Sequence, residues 1–149
     1  MRQVNQAGVY LITTEERFSP VIYNDAGHPA IGFGHDIQAG EHFDEPMTIE
    51  QAVELFTKDI TWREDRVDEM VKVPLTDNQF AALVSLFYNI GEGNFHGSTV
   101  LRKLNGGNFV EAAAAFRLWK YSRNEKHELV VNPDLVARRE KEIALFLKP

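Results

Sequence analysis

The stretch of sequence that decides the fold is residues 16–35, which read ERFSPVIYNDAGHPAIGFGH. Pro20 should end a helix over residues 5–18, because proline has no backbone N–H and its ring clashes with a continuing helix. After it, β-forming residues lie on both sides of a turn at 24–27. This change of pattern predicts a small hairpin or three-stranded sheet after a first helix.

Outward from this stretch, residues 36–46 have a loop composition and the rest of the chain becomes helical. Two capping boxes, Thr48 with Gln51 and Thr76 with Gln79, mark helix starts, because each side chain can bond the other residue's backbone N–H. Pro at the first helical position marks the start of the last helix. The predicted helices are 48–71, 76–90, a short one from 98 or 99 to about 106, 109–121 and 133–147.

Length and composition describe one folded domain. The chain has 149 residues, 44% hydrophobic and 26% charged, and contains no cysteine. A core of ordinary size needs no disulfides at this length, and thiol catalysis and thiolate metal sites are excluded. No apolar run approaches about 18 residues, the length that a membrane span requires. We expect a single domain over residues 1–149 with two lobes, approximately 1–60 and 72–149, and the N-terminal helix joins the second lobe.

Charge is unevenly distributed along the chain. The net charge is −6, and it divides into −9 for residues 1–70 and +3 for residues 71–149. A basic surface of the kind that binds nucleic acid is absent overall. The mildly basic second half could face an anionic polymer, or it could simply be a solvated surface.

Two carboxylates stand out by their positions. Glu16 lies at the end of the first predicted helix, and Asp25 lies in the hairpin turn nine residues later. Hydrolysis of a glycosidic bond uses such a pair, since one acid protonates the leaving oxygen and one carboxylate handles water or the sugar cation. The spacing by itself is common. Glu15 is a rival for the acid, but neighbouring helical residues point about 100° apart, so only one of the two can face a cleft.

The short sequence motifs around these acids are typical of one known family. Besides Tyr23 and the pair Glu16 and Asp25, the matching words are IGFGH at 31–35, QAxxLFxxD at 51–59, PLTxxQFxALVSxFYNIG at 74–91, STxLRxLN at 98–105, Trp119, and RRE at 138–140 followed by Leu145-Phe146. Together they resemble the phage-type lysozymes, glycoside hydrolase family 24, over nearly the whole chain.

The resemblance implies a fold and a reaction. The fold would be lysozyme-like and α+β: mainly helical, with a small N-terminal β-sheet lobe, a long connecting helix and a helical C-terminal lobe. The reaction would be cleavage of the β-1,4 bond between N-acetylmuramic acid and N-acetylglucosamine in peptidoglycan, by a phage or prophage endolysin. A secreted effector of the same family would have the same sequence pattern.

The resemblance also assigns site residues. Glu16, seven residues before Tyr23, matches the general acid, and Asp25 matches the carboxylate that positions or activates the water. Most family members invert at the anomeric carbon, which suits two carboxylates with a water between them. Residues expected to border the substrate cleft are Ala30, Phe33, Tyr88, Asn89 and Ser98.

Ala30 departs from the family pattern, because most members have Thr at this position. Alanine has no hydrogen-bonding group to help hold the attacking water. The turn after Asp25 is also one residue shorter than in the family. Asp25 and main-chain groups could suffice, His28 in this shortened turn could replace the hydroxyl, or a sugar hydroxyl could attack in place of water. The alternative function is therefore a catalytically altered member, either a transglycosylase or a non-catalytic peptidoglycan-binding protein.

The remaining expectations concern partners. The family pattern pairs His35 with Asp59 in a structural ion pair that raises the pKa of the histidine. We expect no metal, no cofactor, no nucleic acid and no stable membrane insertion. The partners would be peptidoglycan glycan strands, and the protein a monomer. Without a visible signal or span, it would be made in the host bacterial cytoplasm and reach the cell wall after release or export.

Overall fold

The computed structural model describes residues 2–149 and has the mainly helical α+β class that the sequence predicts. Its helices are α1 Gln6–Glu16, α2 Ile49–Met70, α3 Asp77–Ile90, α4 Glu92–His96, α5 Thr99–Asn105, α6 Phe109–Ala115 and α7 Pro133–Leu147, with a 3₁₀ turn at Phe116–Leu118. Its strands are β1 Ser19–Asp25, β2 His28–Gly32, β3 His35–Asp36, β4 Tyr121–Arg123 and β5 Leu129–Val131. The first three strands form one antiparallel sheet in chain order, and β4 pairs with β5 in a separate hairpin.

The turn between β1 and β2 fixes the sheet. Its two residues, Ala26 and Gly27, have φ of 49° and 92°, as a two-residue hairpin with the right-handed strand twist requires. The Asn24 side chain accepts a hydrogen bond from the Gly27 N–H at 2.7 Å. Asp25 is paired with His28 across the ladder. The turn therefore holds Asp25 at the tip of the hairpin.

The predicted connecting helix is α2. Both hydrogen bonds of the Thr48 and Gln51 capping box form, so the helix begins where the sequence predicts. At 22 residues it is about 33 Å long. It packs on β2 and β3 and, along its length, on α3. This helix thus joins the sheet to the helical part of the molecule.

The centre of the core is α3, in which every residue from 80 to 88 is buried. A helix that is apolar on all sides needs partners on all sides. α1, α2 and α7 supply them. A second, smaller cluster of Ile31, Met47 and Ala52 lies under the sheet. Because α1 packs on α3 and α7, the residue that ends α1 sits between the sheet and the helical core.

The predicted helix over 109–121 is wrong beyond residue 115. Phe116–Leu118 is a single 3₁₀ turn, and the chain then enters β4, which pairs with the valine-rich β5. The Lys120 carbonyl accepts from the Asn132 N–H at 2.8 Å, which closes this hairpin. Beyond the alanine run, helix propensity is overridden by pairing with residues six to ten positions further along the chain.

Three smaller details of the structure also differ from the sequence-based prediction. The first helix ends at Glu16, not 18, because Arg17 adopts φ of 61°. The predicted loop over 36–46 begins one residue later, since Asp36 belongs to β3. Helix α4, Glu92–His96, has no counterpart in the sequence-based assignment. Within residues 2–149, no helix combines the length and apolar character needed to cross a bilayer.

Candidate active site

Glu16 is the last residue of α1, and its carboxyl lies against the turn between β2 and β3. A Cβ at Gly34 would come 3.3 Å from the carboxyl carbon of Glu16. Gly34 also has φ of 75°, a conformation that favours glycine. The Glu16 side chain is only 16% exposed. Glycine at position 34 therefore allows a carboxyl group to be held almost out of water at the junction of helix and sheet.

The surroundings of Glu16 favour its protonated form. Burial is the main reason that its pKa is raised, because a charged carboxylate loses hydration there. The Arg138 guanidinium opposes this effect, with Nη1 3.5 Å from Oε2. The nearby charge of Asp25 adds to the rise and that of Arg63 reduces it. A carboxyl group that keeps its proton towards neutral pH suits the donor in acid catalysis.

Glu15 and Glu16 point to different neighbours. Glu15 forms an ion pair with Lys141, with Oε2 and Nζ 3.2 Å apart, on the side of α1 that faces α7. Glu16 instead contacts Gly34 and Arg138. The structure therefore places Glu16, and not Glu15, beside the sheet.

Asp25 is exposed at the end of β1. Its charge contributes to the raised pKa of Glu16 and also to that of Tyr23, so the two carboxyl groups and the Tyr23 hydroxyl lie within electrostatic reach of one another. Burial is the main cause of the raised Tyr23 pKa, and the charges of Glu16 and Asp36 add to it. One acid is thus largely buried, and the other is open to solvent.

Ala30 lies in β2 next to these groups but has no exposed surface. It is paired with Tyr23 on one side and Asp36 on the other. A side chain without exposed surface cannot touch a sugar in this structure. We therefore do not retain Ala30 as a direct substrate contact.

Phe33 and Tyr88 join the sheet to the core. The Phe33 ring packs on Phe18 and Phe56, with centroids 5.7 and 5.9 Å apart. The Tyr88 hydroxyl donates to the Phe33 carbonyl at 2.8 Å, and the Arg63 guanidinium lies 4.3 Å from the Tyr88 ring centroid. Burial raises the Tyr88 pKa strongly, so this hydroxyl stays a donor. Both residues hold the β2–β3 turn in place beneath Glu16.

Asn89 and Ser98, the other two predicted cleft residues, lie in different surroundings. Asn89 is exposed and its side-chain oxygen accepts from Arg139, so it stays a prediction as a substrate contact. Ser98 is 3% exposed. Its hydroxyl caps α5 by accepting from the Leu101 N–H and donates to the Phe95 carbonyl. Its burial and these two hydrogen bonds argue against a contact with substrate, so the role of Ser98 stays a prediction that the structure does not support.

His35 lies between two carboxylates, which with it form a group that we call the histidine cluster. Its Nδ1 is 2.8 Å from Asp59 Oδ2, as the predicted pairing requires, and its Nε2 is 2.9 Å from Glu41 Oε1. The hydrogen bond to Asp59 is the main cause of the raised His35 pKa, against the effect of burial. Glu41 was missed from sequence, because it lies in a loop without a recognisable pattern.

A second buried group, the arginine cluster, consists of Arg138, Arg139, Glu142 and Ser85. Glu142 Oε2 accepts from Ser85 at 2.6 Å and from Arg138 Nε at 3.4 Å. Arg139 Nε lies 2.9 Å from Glu142 Oε1, but the two atoms are not aligned for a hydrogen bond. Burial raises the pKa of Glu142 and lowers that of Arg139, each against the charge of its partner.

The role of Arg138 beside Glu16 was not inferred from the sequence. A signal exists, however: positions 135, 138, 139, 142 and 146 follow the spacing of an apolar helix face, yet three of them are charged. Charged residues on a face that must be buried indicate a paired interior cluster.

As to metals, residues 2–149 contain no group of three or more His, Cys, Asp or Glu side chains placed to hold an ion.

Comparisons with known proteins agree with one another. The chain matches the family described as phage lysozyme over residues 13–142. The endolysin of Salmonella phage P22 is 42% identical over 152 residues, which cover 99% of both chains.

Two solved structures are similar over nearly their whole length. The muramidase domain of SpmX from Asticaccaulis excentricus has a TM-score of 0.90 at 35% identity, with 100% of both chains covered. An endolysin from Escherichia coli O157:H7 phage FAHEc1 has a TM-score of 0.88 at 32% identity, with 99% of this chain and 94% of that chain covered. These similarities confirm the lysozyme-like fold class that the sequence predicts.

Proposed function

Because this chain belongs to the phage lysozyme family, we propose that Glu16 is its general acid and Asp25 the carboxylate that activates the attacking water. The chain is a glycoside hydrolase of the lysozyme type, and peptidoglycan is its substrate. The bond cleaved is the β-1,4 link from N-acetylmuramic acid to N-acetylglucosamine. No observation in the molecule favours the transglycosylase or the non-catalytic alternative.

The observation that carries the assignment is the contrast between the two carboxyl groups. Glu16 is 16% exposed and has a raised pKa because of its burial, whereas Asp25 lies open at the hairpin tip. A largely buried acid with a raised pKa suits the proton donor, and an exposed carboxylate suits the proton acceptor. Glu15 is distinguished from Glu16 by its contacts and not by exposure, since its side chain is 17% exposed but pairs with Lys141, whereas Glu16 lies against Gly34 and Arg138.

The reaction then follows from these positions. Glu16 gives its proton to the glycosidic oxygen as the bond to the anomeric carbon breaks, and Asp25 takes a proton from the water that attacks that carbon. After the transfer Glu16 is an anion. Arg138, 3.5 Å away, stabilises that anion, because a guanidinium stays charged at all relevant pH values. The raised pKa keeps Glu16 protonated before the transfer and favours its reprotonation afterwards. The Arg138 cation stabilises the carboxylate that exists between these two steps.

The test is mass spectrometry of the soluble products released from purified sacculi. The protein should release muropeptides with free reducing N-acetylmuramic acid. Glu16→Gln should lower the rate by about 100-fold or more, since it removes the acid and keeps the shape. Glu15→Gln is the matched control and should stay active. Equal rates for the protein and Glu16→Gln would refute the assignment of the acid.

The cellular context is also a proposal, supported by the endolysins among the relatives. The protein would be made in the bacterial cytoplasm, act on the cell wall after release or export, and work as a monomer of one two-lobed domain on glycan strands. Light scattering of the purified protein checks the monomer. A single cooperative unfolding transition checks the single domain.

A further inference from the structure

The sheet face that carries Asp25 has a row of side chains with no polar atom at its centre. Residues directly opposite each other on an antiparallel ladder share a face, and alternate residues along a strand return to it. Tyr23 is opposite Ala30, and Ala30 is opposite Asp36. Asp25, two residues after Tyr23, lies on the same face. The row Tyr23, Ala30, Asp36 therefore crosses the sheet beside the carboxylate that activates water.

Ala30 can hold nothing in this row. Its methyl group has neither a donor nor an acceptor, and the residue has no exposed surface. An attacking water that touches Asp25 with one hydrogen needs another contact to fix its direction. A side chain that flanks Ala30 is placed to supply that contact.

Of the two residues that flank Ala30, Tyr23 is partly buried, whereas Asp36 is exposed. Directly opposite side chains have Cβ atoms about 4.5–5.5 Å apart, and a one-carbon side chain leaves room for a ring. The Tyr23 side chain is partly buried, within electrostatic reach of Asp25, Glu16 and Asp36. Burial and these charges raise its pKa, so the hydroxyl keeps its proton and can both accept and donate.

We propose that the Tyr23 hydroxyl holds the attacking water beside Asp25, an inference that rests on the function proposed above. Asp25 takes one proton of the water, while the Tyr23 oxygen accepts a hydrogen bond from the other. The water oxygen bonds to the anomeric carbon, and the glycosidic bond breaks with its electron pair going to the leaving oxygen, which takes the proton of Glu16. The hydrogen held by Tyr23 stays on the new anomeric hydroxyl, so Tyr23 undergoes no net change.

The same face contains a rival for this role. His28 is paired with Asp25 at the hairpin tip, and it is exposed there. Tyr23 lies beside Ala30 and is partly shielded from solvent. A hydrogen bond is stronger there, because less bulk water competes for the hydroxyl. The two residues make different predictions for single substitutions.

The experiment compares Tyr23→Phe with the unaltered protein on soluble, uncross-linked glycan strands, with rates and product masses recorded. Loss of one hydrogen bond should lower kcat by about tenfold and leave KM unchanged. Products of transfer to a sugar hydroxyl should increase relative to hydrolysis, because the water is no longer held. Tyr10→Phe, which removes a hydroxyl from an exposed α1 residue, is the matched control and should change neither readout.

A second arm restores a hydroxyl nearby. Ala30→Ser in the Tyr23→Phe background should recover part of kcat and lower the share of transfer products. If the doubly substituted protein does not fold, the product ratio of Tyr23→Phe alone decides.

Three results would overturn the inference about Tyr23. One is a Tyr23→Phe protein with unchanged kcat and product ratio, and another is a change in KM alone. The third is His28→Ala changing the product ratio when Tyr23→Phe does not. In each of these, loss of activity in Glu16→Gln still upholds the proposed function. A protein that cleaves nothing before any substitution would overturn both proposals.

Discussion

The histidine cluster and the arginine cluster both pair charged side chains, but they differ in solvent exposure and in whether their cation changes charge near neutral pH. In the histidine cluster the side chains of His35 and Glu41 are 10% and 34% exposed. In the arginine cluster those of Arg138 and Glu142 are 5% and 0% exposed. A histidine changes charge near neutral pH, whereas a guanidinium does not.

The difference explains why the arginine cluster suits the position beside Glu16, the proposed acid. Glu16 contacts Arg138, so its electrostatic partner keeps a constant charge while Glu16 itself gains and loses a proton. His35 lies on the opposite side of the sheet from Asp25, since it is paired with Ile31, which faces α2. The titrating group thus joins the sheet to α2 on the face away from Asp25.

The largest effect on stability should come from removing Glu142, the acid of the arginine cluster. Glu142→Ala takes the hydrogen-bond partner from Ser85 and Arg138 and leaves two buried guanidinium groups with less compensation. We expect a loss of about 3–5 kcal/mol in the free energy of unfolding, measured with urea. Glu140→Ala is the matched control on the same helix, because it breaks only an exposed pair with Arg117. Similar losses for both would remove the distinction between a dry cluster and a surface pair.

The next effect should show that the histidine cluster depends on pH. The hydrogen bond to Asp59 raises the folded-state pKa of His35 above its unfolded value, so folding favours the protonated form. The stabilisation is therefore fully present below about pH 6.5, the unfolded pKa, and is lost as the pH rises through the raised folded pKa.

His35→Gln tests this pH dependence. The difference in unfolding free energy from the unaltered protein should be about 1.5–3 kcal/mol at low pH, as for a hydrogen bond to a charged group, and smaller at high pH. Urea titrations at several pH values provide the measurement. His42→Gln, in a pair with both side chains exposed, should show no such trend. A constant difference across pH would mean that His35 stabilises by packing alone.

A smaller effect on stability, with a separate effect on activity, is expected at the turn under Glu16. Gly34→Ala and Gly40→Ala both place a side chain at positive φ, 75° and 87°. Each should lose about 1 kcal/mol of stability. Only Gly34→Ala puts a carbon 3.3 Å from the Glu16 carboxyl, because nothing lies within 4 Å of a Cβ at Gly40.

Activity should therefore separate the two glycine variants. We expect Gly34→Ala to lose about tenfold in kcat by displacing Glu16, and Gly40→Ala to retain its rate. Rates on soluble glycan strands, taken together with urea midpoints, measure both. Equal activities would show that Glu16 has more freedom than the structure indicates.

The smallest effect is a gain in stability in Glu16→Gln. Burial raises the folded-state pKa of Glu16 above 4.5, so the folded state disfavours the charged form. A neutral glutamine should therefore make the protein more stable above that raised pKa, and the gain should disappear as the pH falls below about 4.5. Thermal unfolding at pH 4 and pH 8 measures it. A Glu16→Gln protein that is less stable at pH 8 would show that pairing with Arg138 outweighs the cost of burial.

Local sequence rules predicted much of the fold. The capping boxes at Thr48 and Thr76 each form as predicted, because the two partners are only three residues apart. The helix predicted to run to residue 121 failed where β4 pairs with β5. Whether a segment forms a strand depends on the segment that it pairs with, and no local pattern at residues 121–123 predicts that partner.

The candidate site divides in the same way. Glu16 and Asp25 were chosen from the sequence, since a helix end and a hairpin tip are local features. The burial of Ala30 and Ser98 was not predicted from the sequence, because the exposure of a side chain depends on which elements pack over it. Glu41 was missed for the same reason, since its contact with His35 depends on the path of a loop.

By itself, the sequence determined the order of most elements and the family to which the chain belongs, and it singled out the two carboxylates that we propose as the catalytic pair. Only the tertiary structure decided the environment of those carboxylates. Arg138 reaches Glu16 from 122 residues away, and Gly34 approaches it across the junction of α1 and the sheet. Local propensity acts over a few residues, whereas burial and charge depend on every element packed around a group, and these set which acid holds the proton.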